Sequence, residues 1–218
     1  MSWTYHITNR LGTMTQQEME GNVDEIYAQL YSNYTWSVNA ICAVLGNLQQ
    51  ESALNPAQTQ TGYDINGMRG GYGLAQWTPA RKIKNWLQAN NHSLYSGYWQ
   101  IYALNMNEIS SDYGNEYIPT TDFPLTFAEF KNSGETVAYL TEAFLKNYER
   151  AGDEALSNRI QYAEDWYRYI MGADPPTEPS TDPPQPVDPP DPIDPDETGY
   201  KGVFKTILFL RNRRAYPR

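Results

Sequence analysis

Residues 36–52 read W-S-V-N-A-I-C-A-V-L-G-N-L-Q-Q-E-S, and residues 70–77 read G-G-Y-G-L-A-Q-W. In the first stretch Ile41, Val44, Leu45 and Leu48 recur at three- and four-residue steps, the period of one helix face. The stripe predicts a helix that begins near Trp36 or Ser37 and carries the most deeply buried face of the protein. Asn55-Pro56 ends it, because a proline disfavours helical geometry in the residue before it. A Gly-rich loop of about two dozen residues then leads to the second stretch, and loops of that length inside a domain are usually functional. Within it Gly71-Tyr72-Gly73-Leu74 predicts a short hairpin or a tight turn.

Working outward, residues 1–16 show no clear period, whereas Met19, Val23, Ile26, Tyr27 and Leu30 mark one face of a helix over about 17–31. Downstream, Thr78-Pro79 reads as an N-cap followed by proline at the first helical position, opening a helix over 80–89. Further helices are expected near 94–109, near 126–131 behind the capping box Thr126-x-x-Glu129, and over 134–150 and 153–171 with Gly152 between the last two. The body is mainly α, with a small β or loop element around 57–77.

The organisation is a folded body over 1–173, a linker over 174–197 and a tail over 198–218. The linker holds ten prolines, eight acids and no base, a composition that stays extended and works as a tether. The tail holds six bases and no acid around an apolar run from Val203 to Leu210. That run is far short of the ~20 residues a membrane-spanning helix needs. An appended tail docked on protein and an anchor for an anionic wall polymer, a membrane surface or a virion protein both fit it. The body has 18 acids against 10 bases, which excludes nucleic acid as its partner. Cys42, the single cysteine, falls on an apolar helix and reads as a small core residue. His6 and His92 lack ligand-like spacing with any cysteine, so neither a metal nor a cofactor is expected. No apolar run follows the polar opening M-S-W-T-Y-H-I-T-N-R, so no secretory signal is expected.

Glu51 lies three residues beyond Leu48, at the end of the buried stripe. Two readings stand. A solvated glutamate on the last turn needs no function. A carboxyl half-buried against apolar neighbours has its charged form disfavoured and stays protonated at higher pH, the property of a general acid for glycosidic bonds. The helix dipole disfavours an acid at this end, so helix stability does not explain its presence. Asp64, the nearest acid after it in the loop, reads either as a second carboxylate or as an Asx turn before Asn66-Gly67.

Three motifs in order bear on the choice. N-L-Q-Q-E-S-A-L-N-P (47–56), G-Y-G-L-A-Q-W-T-P (71–79), and A-F-L-K-N-Y-E-R-A-G (143–152) with R-I-Q-Y-A-E-D-W-Y (159–167) resemble the phage tail lysozymes. More distantly they are similar to lytic transglycosylases and goose-type lysozymes. The resemblance covers about 20–171 and implies an α+β lysozyme-like fold. It implies a muramidase-like activity on the β-1,4 glycan of bacterial peptidoglycan, by a phage protein carried in the tail or released from the host cytoplasm. It matches Glu51 to the catalytic acid, and Gly73, Leu74 and Gln76 to the segment lining the opposite groove wall. Tyr72 and Trp77 flank that segment as sugar-stacking candidates, Tyr148 is a groove candidate facing Glu51, and Glu149-Arg150 reads as structural ion pairs, with Arg159 as a partner. A lytic transglycosylase using the same Glu51, which needs no second carboxylate, and a non-catalytic wall-binding or tail-structural module remain the alternatives.

Overall fold

The structure, a computed structural model, describes residues 3–107, 117–150 and 155–179. Gly152, most of the Pro-rich linker and the whole basic tail lie outside the described residues. The fold is mainly helical: α1 (Gln16–Tyr27), running into a π-helical turn (Ala28–Asn33), α2 (Val38–Ser52), α3 (Arg81–Ala89), α4 (Gly97–Met106), α5 (Phe127–Lys131), α6 (Val137–Phe144), running into a second π-helical turn (Leu145–Glu149), and α7 (Leu156–Met171). Among the described residues no helix is long and apolar enough to cross a membrane.

α2 is the hub. Ser37 caps it by accepting the Ala40 N–H, and residues 40–48 are buried all the way round, so the predicted stripe is one side of a wholly enclosed helix. Each fully buried Leu or Ile there contributes about 1.5–3 kcal/mol of transfer free energy. α6 and α7 pack on it, and the approach of α7 is set by Gly46. A Cβ at that position would lie 2.3 Å from the Arg159 backbone oxygen and 2.7 Å from the Ala163 Cβ. That closeness brings the first turn of α7 against the last turns of α2.

Several helix boundaries differ from expectation, among them those on both sides of the loop 53–80. α2 stops at Ser52, before Asn55-Pro56, because Ala53 and Leu54 turn left-handed with φ of 52° and 58°. Such a conformation costs an ordinary residue about 1–2 kcal/mol. It is held by long-range contacts: Leu54 is fully buried, and its carbonyl accepts the Asn22 Nδ2–H at 2.9 Å. α3 starts at Arg81 with Ala80 as an N-cap lacking a side-chain bond, while the Thr78 hydroxyl donates to the Gln76 carbonyl instead of capping the helix.

The unpatterned N-terminal segment is bound by two buried asparagine amides. Asn22 Oδ1 accepts from Thr4 N–H and its Nδ2 donates to Thr4 O, while Asn55 does the same for His6 N–H and O. Thr8 then bridges Gln58 in parallel and Thr59 bridges Tyr72 antiparallel, giving the small β element. Of the hairpin or tight turn expected around 71–74, the structure has a turn over 73–76 that follows the bridging Tyr72, with the Trp77 N–H donating to Tyr72 O at 3.1 Å.

Candidate active site

Glu51 occupies the last turn of α2 with its side chain 25 % exposed. Its Oε1 accepts from Nη2 of Arg159 at 2.5 Å. Arg159, 6 % exposed, comes from the first turn of α7, and its Nη1 also donates to Glu149 Oε2 at 2.8 Å and to Asn47 Oδ1 at 3.0 Å. Asn47 stands one turn before Glu51 on the same face of α2 and passes its own Nδ2 hydrogens to Ala43 O and Thr141 O, which ties in α6. Glu149 closes the π-helical turn after α6 with its side chain 8 % exposed. Burial first, and then the Glu51 carboxylate beside it, push the Glu149 carboxyl well above the usual range, against the pull of Arg159. The apolar bed expected under Glu51 is therefore a polar junction, in which one guanidinium serves two carboxyl groups from different helices.

Opposite this junction lies an open cleft of about 300 Å³ lined by Leu11, Glu51, Gln58, Gln60, Thr61, Gly71, Gln76 and Thr78. Among the described residues lining it, Glu51 is the one carboxyl. The rest of the polar lining is neutral amide and hydroxyl, the groups that exchange hydrogen bonds with sugar hydroxyls and acetamides. Gln76 is left-handed at φ 45° and donates from Nε2 to Gln58 O and Gly73 O, which fixes its side chain in the wall.

The loop behind that wall is clamped from within. Gly73, at φ 80°, leaves room for the Gln100 amide, whose Oε1 would lie 2.5 Å from a Cβ there. Gln100 Oε1 accepts the Leu74 N–H at 2.9 Å and its Nε2 donates to Pro56 O at 2.7 Å. Lys84, buried beneath, donates to Ile65 O and Gly67 O and sits 4.3 Å from the Tyr72 ring centroid. The Ser52 hydroxyl reaches both Leu48 O and Leu74 O, so the residue after Glu51 joins the helix end to the loop.

Of the residues singled out from the sequence, Glu51 and Gln76 share the cleft. Gly73 stands behind the wall against Gln100, and Leu74 is core. Tyr72, Trp77 and Tyr148 are buried; Trp77 Nε1 donates to the Tyr148 hydroxyl at 2.9 Å, and no ring face of the three is open for stacking on a sugar. Asp64 lies in an exposed Asx turn, accepting the Asn66 N–H at 3.0 Å, and is not among the cleft-lining residues. Leu11, Gln58, Gln60, Thr61, Gly71 and Thr78 also line the cleft and were not among the candidates singled out. The run Gln58-Thr59-Gln60-Thr61 carried the one available signal, an amide–hydroxyl alternation typical of a polar strand. Among the described residues no His, Cys, Asp and Glu cluster suits a metal ion.

A family model described as phage tail lysozyme matches residues 21–170. Morphogenesis protein 1 of Bacillus phage B103 is 32 % identical over 158 residues, covering 67 % of this chain and 40 % of that protein. The chain thus spans well under half the length of this curated relative. The matched residues include Glu51, the Gly-rich loop, Glu149 and Arg159, and leave the N-terminal wall residue Leu11 outside.

Proposed function

We propose, because the chain belongs to the phage tail lysozyme family, that its cleft takes a glycan strand of bacterial peptidoglycan and cleaves a β-1,4 bond. Glu51 serves as general acid/base. The observation that supports this reading best is a single partly exposed carboxyl facing a wall of neutral amides and hydroxyls. Glu51 protonates the glycosidic oxygen as the bond breaks, and the Arg159 guanidinium at its other side stabilises the carboxylate that remains. Gln58, Gln60 and Gln76 orient the sugars.

Clearing of purified cell walls by the full chain tests this. Glu51→Gln keeps the shape and the acceptor for Arg159 but removes the acid, so clearing should fall by about 100-fold or more. Undiminished clearing would overturn the assignment.

One feature favours a second reading of the same site. Hydrolysis by two acids calls for a second carboxylate across the sugar, and the described cleft lining holds only Glu51. A lytic transglycosylase needs one acid, since the sugar's own hydroxyl closes on the anomeric carbon. Mass spectrometry of the products separates the two: 1,6-anhydro ends mark transglycosylation and reducing ends mark hydrolysis. The name of the phage B103 relative, a morphogenesis protein, supports a role in building the phage over release as a free lysin.

A further inference from the structure

Glu149 has no place in the cleft, yet its surroundings are those of a working group rather than a plain ion pair. Its Oε2 is bonded to Arg159 Nη1, while its Oε1 is buried without a conventional hydrogen-bond partner. The acid facing it is Glu51, whose own Oε1 takes the other arm of the same guanidinium. Two ionised carboxylates here would set like charges on one guanidinium and leave Glu149 Oε1 with no donor, in a place where leaving a polar atom unpaired is costly. One proton supplies the missing donor. It also makes the charge of the triad balance, with one guanidinium cation against one carboxylate.

We propose that Glu149 is a positioning residue that shares a single proton with Glu51 across Arg159, so that the pair enters each turnover with one proton between them. This rests on the reading of Glu51 as the general acid. At rest the proton sits on Glu149 Oε1 and is donated to the Glu51 carboxylate. Moving along that hydrogen bond, it leaves Glu149 ionised on Arg159 Nη1 and makes Glu51 the acid that faces the cleft. The charged groups bearing on Glu149 from the packed elements are Glu51 of α2 and Arg159 of α7; on its own segment Tyr148 and Arg150 adjoin it, with Lys82 of α3 near Arg150.

The sign of the effect follows from the charges. Removing the last proton from the pair leaves two like charges on one cation with Glu149 buried, so the pair holds that proton above the usual carboxylate range. In Glu149→Gln the second carboxyl, and with it the buried group that holds the proton, is gone. The alkaline limb of kcat/KM for wall cleavage should therefore move down by about one pH unit or more, roughly a tenfold loss of activity above the limb. Glu149→Asp keeps a carboxyl and should restore part of the shift.

A merely structural role would lower the melting midpoint or kcat while leaving the limb in place, and that result would overturn the proposal. If Glu149→Gln does not fold, 13C-carboxyl NMR of the wild-type chain decides instead. One glutamate still protonated at neutral pH, with a second signal that follows both titration steps, is the expected pattern. Single-step titration of every glutamate in the ordinary carboxylate range would overturn it. The two layers fail separately: an active Glu51→Gln protein sinks the assignment of the acid, whereas an inactive one beside a Glu149→Gln protein with the wild-type limb sinks only the shared proton.

Discussion

The two walls of the cleft are built from opposite materials. On one side Glu51 faces the cleft, backed by Asn47, Glu149 and Arg159 from α2, the turn after α6, and α7, all of which carry charge or bond directly to it. On the other side the segment 58–78 offers amides, hydroxyls and backbone, shaped by left-handed residues and held by Gln100, Lys84 and Ser52. Charges taken out of water need partners at fixed geometry, and interlocked helices supply that geometry. Neutral groups tolerate a loop, because the sugar strand proposed for this cleft offers many hydroxyls at similar angles.

Arg159→Leu tests the charged wall most severely. It leaves Glu149 Oε2 and Asn47 Oδ1 buried without their donor, and breaking a buried pair from one side costs about 3–5 kcal/mol. Glu149 keeps the proton it holds at rest, which holds the cost toward the lower end near neutral pH. Because that relief needs the proton, the deficit should grow as pH rises. At neutral pH the melting midpoint should fall on the order of 10 °C. A midpoint close to wild type would mean that the helices, not the charges, hold this wall together, and the contrast would lapse.

Gly73→Ala tests the neutral wall with a smaller effect. The left-handed conformation and the approach to Gln100 Oε1 both oppose a Cβ, and displacing the Gln100 amide leaves the buried Leu74 N–H unpaired, for about 1–3 kcal/mol. The loss should be local: faster amide hydrogen exchange at Leu74, weaker wall clearing, and a midpoint that falls less than in Arg159→Leu. An equal fall in both would mean that the loop is as much a part of the helical core as the Arg159 junction.

The sequence made one wall far more legible than the other. The stripe Ile41, Val44, Leu45 and Leu48 located α2, and the order of motifs located the family, because helical period and short motifs are local patterns. The ends of elements were harder. α2 stops early because Asn22, over thirty residues away, donates its Nδ2–H to the Leu54 carbonyl, and no local rule reports such a bond. Tyr72, Trp77 and Tyr148 have the composition of a sugar-binding surface, but burial depends on what covers a ring. Arg159 and Glu149 were visible as a pair; that the same guanidinium also reaches Glu51 depends on how close Gly46 lets α7 approach.

Ser52→Ala is the mildest test and bears on the boundary itself. The Ser52 hydroxyl lies 3.0 Å from Leu48 O and 2.8 Å from Leu74 O, so it joins the helix that carries Glu51 to the loop that faces it. Losing it should cost about 1 kcal/mol, a fall of about 2–4 °C in melting midpoint, with a modest rise in KM as the loop wall loosens. The hydroxyl carries no charge and does not bond to Glu51 Oε1, which is occupied by Arg159. The alkaline limb of the pH profile should therefore stay where the wild type has it, even as affinity falls. A limb that moved with Ser52→Ala would show that the neutral wall also sets the proton affinity of the acid, and the division between a wall that holds the proton and a wall that holds the sugar would have to be given up.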